Sequence, residues 1–459
     1  MFYYSTKSKD YVSNFAAAAL TGLAPDGGLY VPGEIPQYRA PVKSSLGTMD
    51  FCDIAFETIK PYVNNEIPDT SLADIVRSAY TFTAPFVAVG SRFAVELFHG
   101  PTAAFKDFGA RFMARAFSFL RRGETRPLRI LVATSGDTGG AVADGFFDIP
   151  GIYVTVLYPK GRVTPLQERQ IAGLGRNISA LAVEGSFDDC QRLVKAALAD
   201  SSLKKRMALS SANSINISRL IPQAAYYSAA AGRAFAGLTD PDGEATPRAK
   251  EQQQNKPVRT GRHVTLCVPS GNFGNLTAGL YAMKMGAPIK QFIAATNINK
   301  TIPDYLDCGK YLARLSQATI SNAMDVGAPS NFERMAVHFS LEEMRRILLG
   351  VSVTDSQTRE TIVSVHEQHG YFIDPHSAVG WKGVDNLFAE NKLAGIVDTG
   401  DPVGILCTAH PVKFSEVVEP LVGKPPVPAS LAGAMERTVN SKTIPADVSV
   451  LIDELSLNN

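Results

Sequence analysis

Cysteine is scarce. Five in 459 residues, with no Cys-x-x-Cys pair, leave no disulfide framework to read. Cys52, Cys190, Cys267, Cys308 and Cys407 are scattered, the pattern of reduced thiols in a cytoplasmic protein. An excess of one charge is also missing. The 45 Lys and Arg against 44 Asp and Glu give a net charge of +1, which offers no attraction to nucleic acid or to an anionic membrane surface. No run of roughly 18 uncharged apolar residues occurs, so no membrane span is expected. Met1 to Asp10 holds lysines with no apolar segment behind them, so no secretory signal is expected. Nucleotide and hydrolase signatures are lacking too. There is no Gly-x-x-x-x-Gly-Lys-Ser/Thr, Gly173-Leu-Gly175 lacks the third glycine of the dinucleotide fingerprint, and no Gly-x-Ser-x-Gly elbow is present. His366-Glu-Gln-His369 with His376 departs from His-Glu-x-x-His, and Gly370 ends its helix at once, which argues against a metal.

What is present is an alternation of short apolar runs with helical patterns. Residues 129–134, 152–157, 178–183, 264–268, 291–295 and 403–407 are nearly continuous apolar stretches rich in β-branched residues, as buried parallel strands are. Helix starts stand between them: Thr164-Pro165, Ser186-x-x-Asp189 and Ser340-x-x-Glu343. The expected class is α/β with two open, mostly parallel sheet domains. Residues 1–90 instead hold helical pieces such as Asp50 to Tyr62 and form an N-terminal helical segment. The expected division is 1–90, a large α/β domain of 91–127 plus 236–459, and a small α/β domain of 128–235. Gly237 to Arg262 is polar and reads as an exposed loop.

The chemistry concentrates at Glu96 to Gly109. Residues 92–98 read as a strand, Gly100-Pro101 breaks it, and Thr102 can cap a helix running to about Arg121. Lys106 then falls in or near the first turn, where the helix dipole disfavours an ammonium. A neutral amine can form a Schiff base with the aldehyde of pyridoxal phosphate; a solvated lysine beside Asp107 is the ordinary alternative. Two glycine-rich turns follow strands and open helices, Ala133 to Gly140 and Val268 to Asn275. Such turns let backbone N–H groups approach an anion, although tight turns also use glycine for steric reasons alone. Together with Lys106 they favour pyridoxal phosphate over ATP or NAD. Thr408, after the last strand, can offer a hydroxyl to a pyridine nitrogen or satisfy local backbone.

These motifs together resemble the threonine synthase family of the tryptophan-synthase-β fold group, pyridoxal-phosphate fold type II. The resemblance runs through residues 23–32, 99–108, 134–138, 211–216, 269–274, 329–334, 374–379 and 408–411. It implies Lys106 as the catalytic residue and covalent cofactor anchor, Gly271, Asn272, Phe273, Gly274 and Asn275 around the cofactor phosphate, and Thr408 at the pyridine nitrogen. It implies Ser135, Asp137 and Thr138 at the substrate carboxylate and the cofactor's 3′ oxygen, with Asp137 standing where many relatives have asparagine. Arg111, Asn213, Ser214 and Arg334 are candidates for the substrate phosphate, and no metal is implied. The implied reaction converts O-phospho-L-homoserine and water to L-threonine and phosphate. The alternatives are an amino-acid dehydratase of the same fold and a non-catalytic regulatory homologue.

Overall fold

The computed structural model describes residues 1–240, 260–393 and 401–457. Its strands, in chain order, are β1 (Tyr3–Ser5), β2 (Tyr30–Pro32), β3 (Phe86–Val89), β4 (Arg92–Glu96), β5 (Leu128–Ala133), β6 (Ile152–Pro159), β7 (Ile178–Glu184), β8 (Ala208–Ser211), β9 (Val264–Pro269), β10 (Ile289–Thr296), β11 (Leu348–Ser352), β12 (Val403–Cys407) and β13 (Lys442–Pro445). Two sheets carry most of them. The larger runs β11-β10-β9-β12-β4-β3 and the smaller β13-β7-β6-β5-β8. All pairings in the two sheets are parallel except the β3–β4 hairpin, where Phe86 faces Val95.

The apolar runs read from the sequence are the central strands because helices cover both sheet faces. Every residue of β5, β9 and β12 is buried. One face of the larger sheet packs Cys267, Ile293 and Ile405 against Ala378, Trp381 and Val384 of the helix Pro375–Ala389. Its other face packs Leu266, Phe292 and Leu406 into a core with Tyr226, Tyr227, Leu276 and Leu280. The expected helix starts are present: Thr164, Ser186 and Ser340 each form reciprocal capping boxes, and Asp50 caps the helix Phe51–Val63.

Two features differ from the expectation. Residues 1–90 contain β1, β2 and β3 among their helices, and β3 joins the larger sheet. Strand β13, grouped by sequence with the large domain, pairs with β7, Ile444 beside Val183. The reason lies in the terminal helix Val448–Leu457, whose Leu451 and Leu455 are buried with Leu193 and Val194 of the smaller unit and draw the strand with them. Gly237 closes the helix Ala224–Ala236 in the left-handed conformation, but 241–259 of the expected loop lie outside the described residues.

Candidate active site

In parallel α/β sheets, loops at the carboxyl ends of the strands build the ligand crevice. Here one cavity is lined by the loops after β12, β9, β5 and β8 and by Phe105 and Lys106 beyond β4. The helix carrying the lysine spans Lys106–Leu120, and Phe105, not Thr102, is its N-cap. Thr102 instead donates its hydroxyl to Asp107 Oδ1 at 2.6 Å and its N–H to Asp107 Oδ2 at 2.9 Å. The carboxylate folds back onto the turn so closely that a Cβ on Gly100 would lie 2.3 Å from Asp107 Oδ2. Burial pushes the Asp107 carboxyl up to about 6. Phe105 N–H donates to Thr408 O at 2.9 Å, which ties the lysine's turn to the end of β12.

Lys106 is therefore the first helical residue, with a side chain 14% exposed to the cavity. Its Nζ lies 3.6 Å from Asp137 Oδ2. Burial lowers its pKa, Asp137 pulls it back up, and Lys413 and Arg219 add to the lowering. Asp137 opens the helix Asp137–Phe146 after β5. Burial works to raise its pKa, but Lys413, Lys106 and the Gln167 amide outweigh that and hold it below the usual carboxylate range.

The two glycine turns are spent differently. After β9, Phe273 takes a left-handed conformation at φ 60° and the helix begins at Gly274. Among the described residues, the backbone N–H groups of Gly271 to Asn275 find no protein acceptor. A Cβ on Gly271 would sit 2.6 Å from Ala323 O, so only glycine fits there. Asn272 is committed elsewhere: its Nδ2 donates to Ser214 Oγ at 2.6 Å and its Oδ1 accepts from Ser330 N at 2.5 Å. Asn275 Oδ1 accepts from Tyr226 and Tyr227 at 2.5 and 2.7 Å, while its buried Nδ2 has no partner. In the turn after β5, Thr134 Oγ1 takes the N–H groups of Gly136 and Gly139, each at 2.9 Å.

Of the residues proposed from sequence, Lys106, Ser135, Asp137, Thr138, Asn213, Ser214, Gly271 to Asn275 and Thr408 all line this cavity. Asn213 also bridges strand ends, bonding both N–H and C=O of Ala133. Arg111 and Arg334 do not line it. Arg111 donates to Ala79 O at 2.7 Å and to Ser78 O at 3.3 Å. Arg334 is wholly buried and donates to Tyr30 O, Ser214 O, Asn331 Oδ1 and Ile215 O. Arg111 also pairs with Asp144 Oδ2 at 3.5 Å, so both guanidinium groups are taken up by protein acceptors, and through Ser214 O that of Arg334 braces a cavity wall.

Sequence reasoning gave no site role to Arg219, Lys413 or Gln167, and weighed His376 only as a metal ligand. Arg219 lines the cavity, is buried, and donates to Ala212 O at 2.6 Å while its Nε has no partner. It lies three residues beyond the motif Ser211 to Asn216, and nothing in a single sequence separates it from Arg334. Lys413 stands behind the cavity wall, 3.0 Å from Asp137 Oδ1. His376 lines the cavity with Nδ1 at 2.5 Å from Asp374 and Nε2 accepting from Ala323 N–H. Among the described residues, no three His, Cys, Asp or Glu side chains gather as a metal site.

A buried amine with a lowered pKa, uncommitted N–H groups and the unpartnered Asn275 amide fit an aldehyde that carries a phosphate. The comparisons agree. The pyridoxal-phosphate-dependent enzyme family profile matches residues 89–408, and profiles for the threonine synthase N terminus and C-terminal region match 2–80 and 377–453. The curated threonine synthase of Escherichia coli is 38% identical over 98% of this chain and 97% of its own. The chain belongs to the threonine synthase family. Within it, the Escherichia coli crystal structure superposes with a TM-score of 0.86 at 37% identity, covering 100% of both chains. The pyridoxal-phosphate-bound threonine synthase from Brucella melitensis superposes at 0.84 with 34% identity over 99% of this chain and 98% of that one. The fold is thus that of the pyridoxal-phosphate-dependent enzymes, and pyridoxal phosphate is the cofactor of this threonine synthase family member. No described helix is long and apolar enough to cross a membrane.

Proposed function

We propose that this chain converts O-phospho-L-homoserine and water to L-threonine and phosphate, the last step of threonine biosynthesis. The observation that carries the reading is one juxtaposition: the Lys106 amine, buried beside Asp137, shares a cavity with a turn of uncommitted N–H groups. Pyridoxal phosphate, when bound, supplies an aldehyde carbon for an amine and a ring that withdraws electrons from the substrate's carbons. Gly271 to Asn275 would hold its phosphate, with Thr408 at the pyridine nitrogen. Lys106 is its covalent anchor. Once freed by the substrate's amino group, that amine is the base that takes and returns protons, and its lowered pKa suits the work. Asp137 holds the proton at that nitrogen in place. Ser135 and Thr138, which line the cavity, would hold the substrate carboxylate. Arg219, with an unpartnered Nε, takes the substrate's phosphate in place of Arg111 and Arg334, and Ser214 keeps the role expected of it.

The larger sheet, within 91–127 and 236–459 apart from β3 at Phe86–Val89, is the core of the cofactor-binding domain. The smaller, within 128–235, takes β13 as its edge. The enzyme works on a small molecule in the cytoplasm, without nucleic acid or membrane. The test is direct. Borohydride reduction and peptide mapping should place the cofactor on Lys106, and O-phospho-L-homoserine should yield equimolar phosphate and threonine. A label on another lysine would sink the mechanism. Keto-acid release from serine, without phosphate release from the phosphorylated substrate, would mark a dehydratase instead.

A further inference from the structure

The two oxygens of Asp137 do different things. Oδ1 accepts from Gln167 Nε2 at 2.9 Å and from Lys413 Nζ at 3.0 Å, while Oδ2 lies 3.6 Å from Lys106 Nζ. Lys413 comes from the turn Pro411–Phe414, just past Thr408, and its side chain is fully enclosed. An ammonium has three hydrogens to give, and here each has an acceptor: Thr102 O at 2.6 Å, Gln170 Oε1 at 2.9 Å and Asp137 Oδ1. Thr102 belongs to the turn before Lys106, whereas Asp137 and Gln170 belong to the smaller unit. Burying a cation carries a large desolvation penalty, and an apolar side chain would fill the same space without it. The charge therefore serves something beyond packing.

We propose that Lys413 is a positioning residue for the chemistry at Lys106. By engaging Asp137 Oδ1 it turns Oδ2 toward the lysine nitrogen, and by its own charge it sets how readily that nitrogen keeps its proton. The proposal rests on the reading above, in which Lys106 joins the cofactor. The other charged groups around the pair are Arg219, from the helix Ile217–Leu220, and Asp107, beside Lys106 on its own helix. Gln167 and Gln170, from the helix Pro165–Ala172, are neutral. One carboxylate holds the Lys106 proton, and Lys413 and Arg219 both repel it. Replacing Lys413 by a neutral side chain that still donates to Asp137 Oδ1 removes one of those repulsions while keeping Lys106 and the Asp137 orientation.

The readout is a pH titration of the holoenzyme's visible absorption, whose long-wavelength band is lost when the nitrogen joining Lys106 to the cofactor gives up its proton. Lys413→Gln keeps hydrogen-bond donors but drops the charge, and is expected to raise the titration midpoint by about one pH unit. Asp137→Asn should lower it by a similar amount. Cofactor content and far-ultraviolet circular dichroism, recorded on the same samples, should stay near those of the parent. A folded, loaded Lys413→Gln protein with an unmoved or lowered midpoint overturns the proposal. If that variant does not load, the double variant Asp137→Asn with Lys413→Met decides. The proposal requires it to load and to titrate below the parent, because the nearer charge dominates; failure to load, or a parental midpoint, overturns it. A parent protein without any visible band would overturn the cofactor assignment itself, a different and distinguishable failure.

Discussion

The turns after β5 and β9 are built to one recipe: glycines, a small hydroxyl residue and the start of a helix. Their electrostatics are opposite. The turn after β9 carries no ionised side chain from Ser270 to Asn275, and its N–H groups from Gly271 onward are uncommitted. The turn after β5 gives the N–H groups of Gly136 and Gly139 to its own Thr134 and holds a buried carboxylate ringed by Lys106 and Lys413. One turn is a neutral cradle for an anion and the other a fixed negative charge facing a nitrogen. Glycine content describes how closely backbone can approach a ligand, and the charge beside it decides which ligand atom is approached.

The widest effect is expected where both turns converge. Lys106→Ala should lower turnover by at least about 10⁴-fold, since anchor and proton carrier vanish together; coupled phosphate-release and threonine assays would show it. Next is the brace shared by the walls. Arg334→Ala leaves Tyr30, Ser214 and Ile215 carbonyls and Asn331 Oδ1 without their donor. It should cost about 3 kcal/mol or more of stability in denaturant unfolding. A folded variant of parental stability that lost activity only on the phosphorylated substrate would return Arg334 to the substrate phosphate.

The comparison is sharpened by a matched pair. Gly271→Ala drives a Cβ into Ala323 O and Met324 Cα, and should weaken pyridoxal phosphate binding about 100-fold in equilibrium dialysis. Gly140→Ala meets the Gln170 side chain, Cβ at 3.1 Å and Oε1 at 3.4 Å, with no backbone atom among its nearest neighbours, and should change that affinity by about threefold or less. Equal losses would erase the distinction between the turns. Arg219→Met should reduce kcat/KM for O-phospho-L-homoserine by about 10- to 100-fold while leaving cofactor affinity unchanged.

The smallest effect concerns acid. The Asp137 carboxyl is held below its unfolded value, so its stabilising contribution is present above about pH 4 and is lost as pH falls toward the folded pKa. Asp137→Asn lacks that dependence. Its stability should drop less between pH 5 and 3, by about 1 kcal/mol, in unfolding curves at the two pH values.

Much of this was legible in the sequence. The central strands were, because burial on both faces writes continuous apolar runs, as in Val403 to Cys407. Short edge strands were not: in β13 only Ile444 is buried, and β3 is four apolar residues that any buried turn could supply. The lysine and both turns were legible because each needs a particular residue at a particular break. Lys413 was hidden for the opposite reason. Within Pro-Val-Lys-Phe it reads as an ordinary solvated side chain, and its three acceptors lie at 102, 137 and 170, far away along the chain. Arg219 and Arg334 differ only in how many carbonyls the fold brings to each, which no local pattern records.

The pairing of β13 with β7 sets a clock on synthesis. Strand β7 is complete at Glu184, and its neighbour begins only at Lys442. At about 5–20 residues per second, a ribosome needs roughly 13–50 s to deliver that neighbour. Throughout that interval the growing chain shows an unpaired parallel edge whose N–H and C=O groups can template another strand. The smaller unit is then open to chaperones and to other nascent copies on the same message, and a pause in translation upstream of Lys442 lengthens the exposure directly.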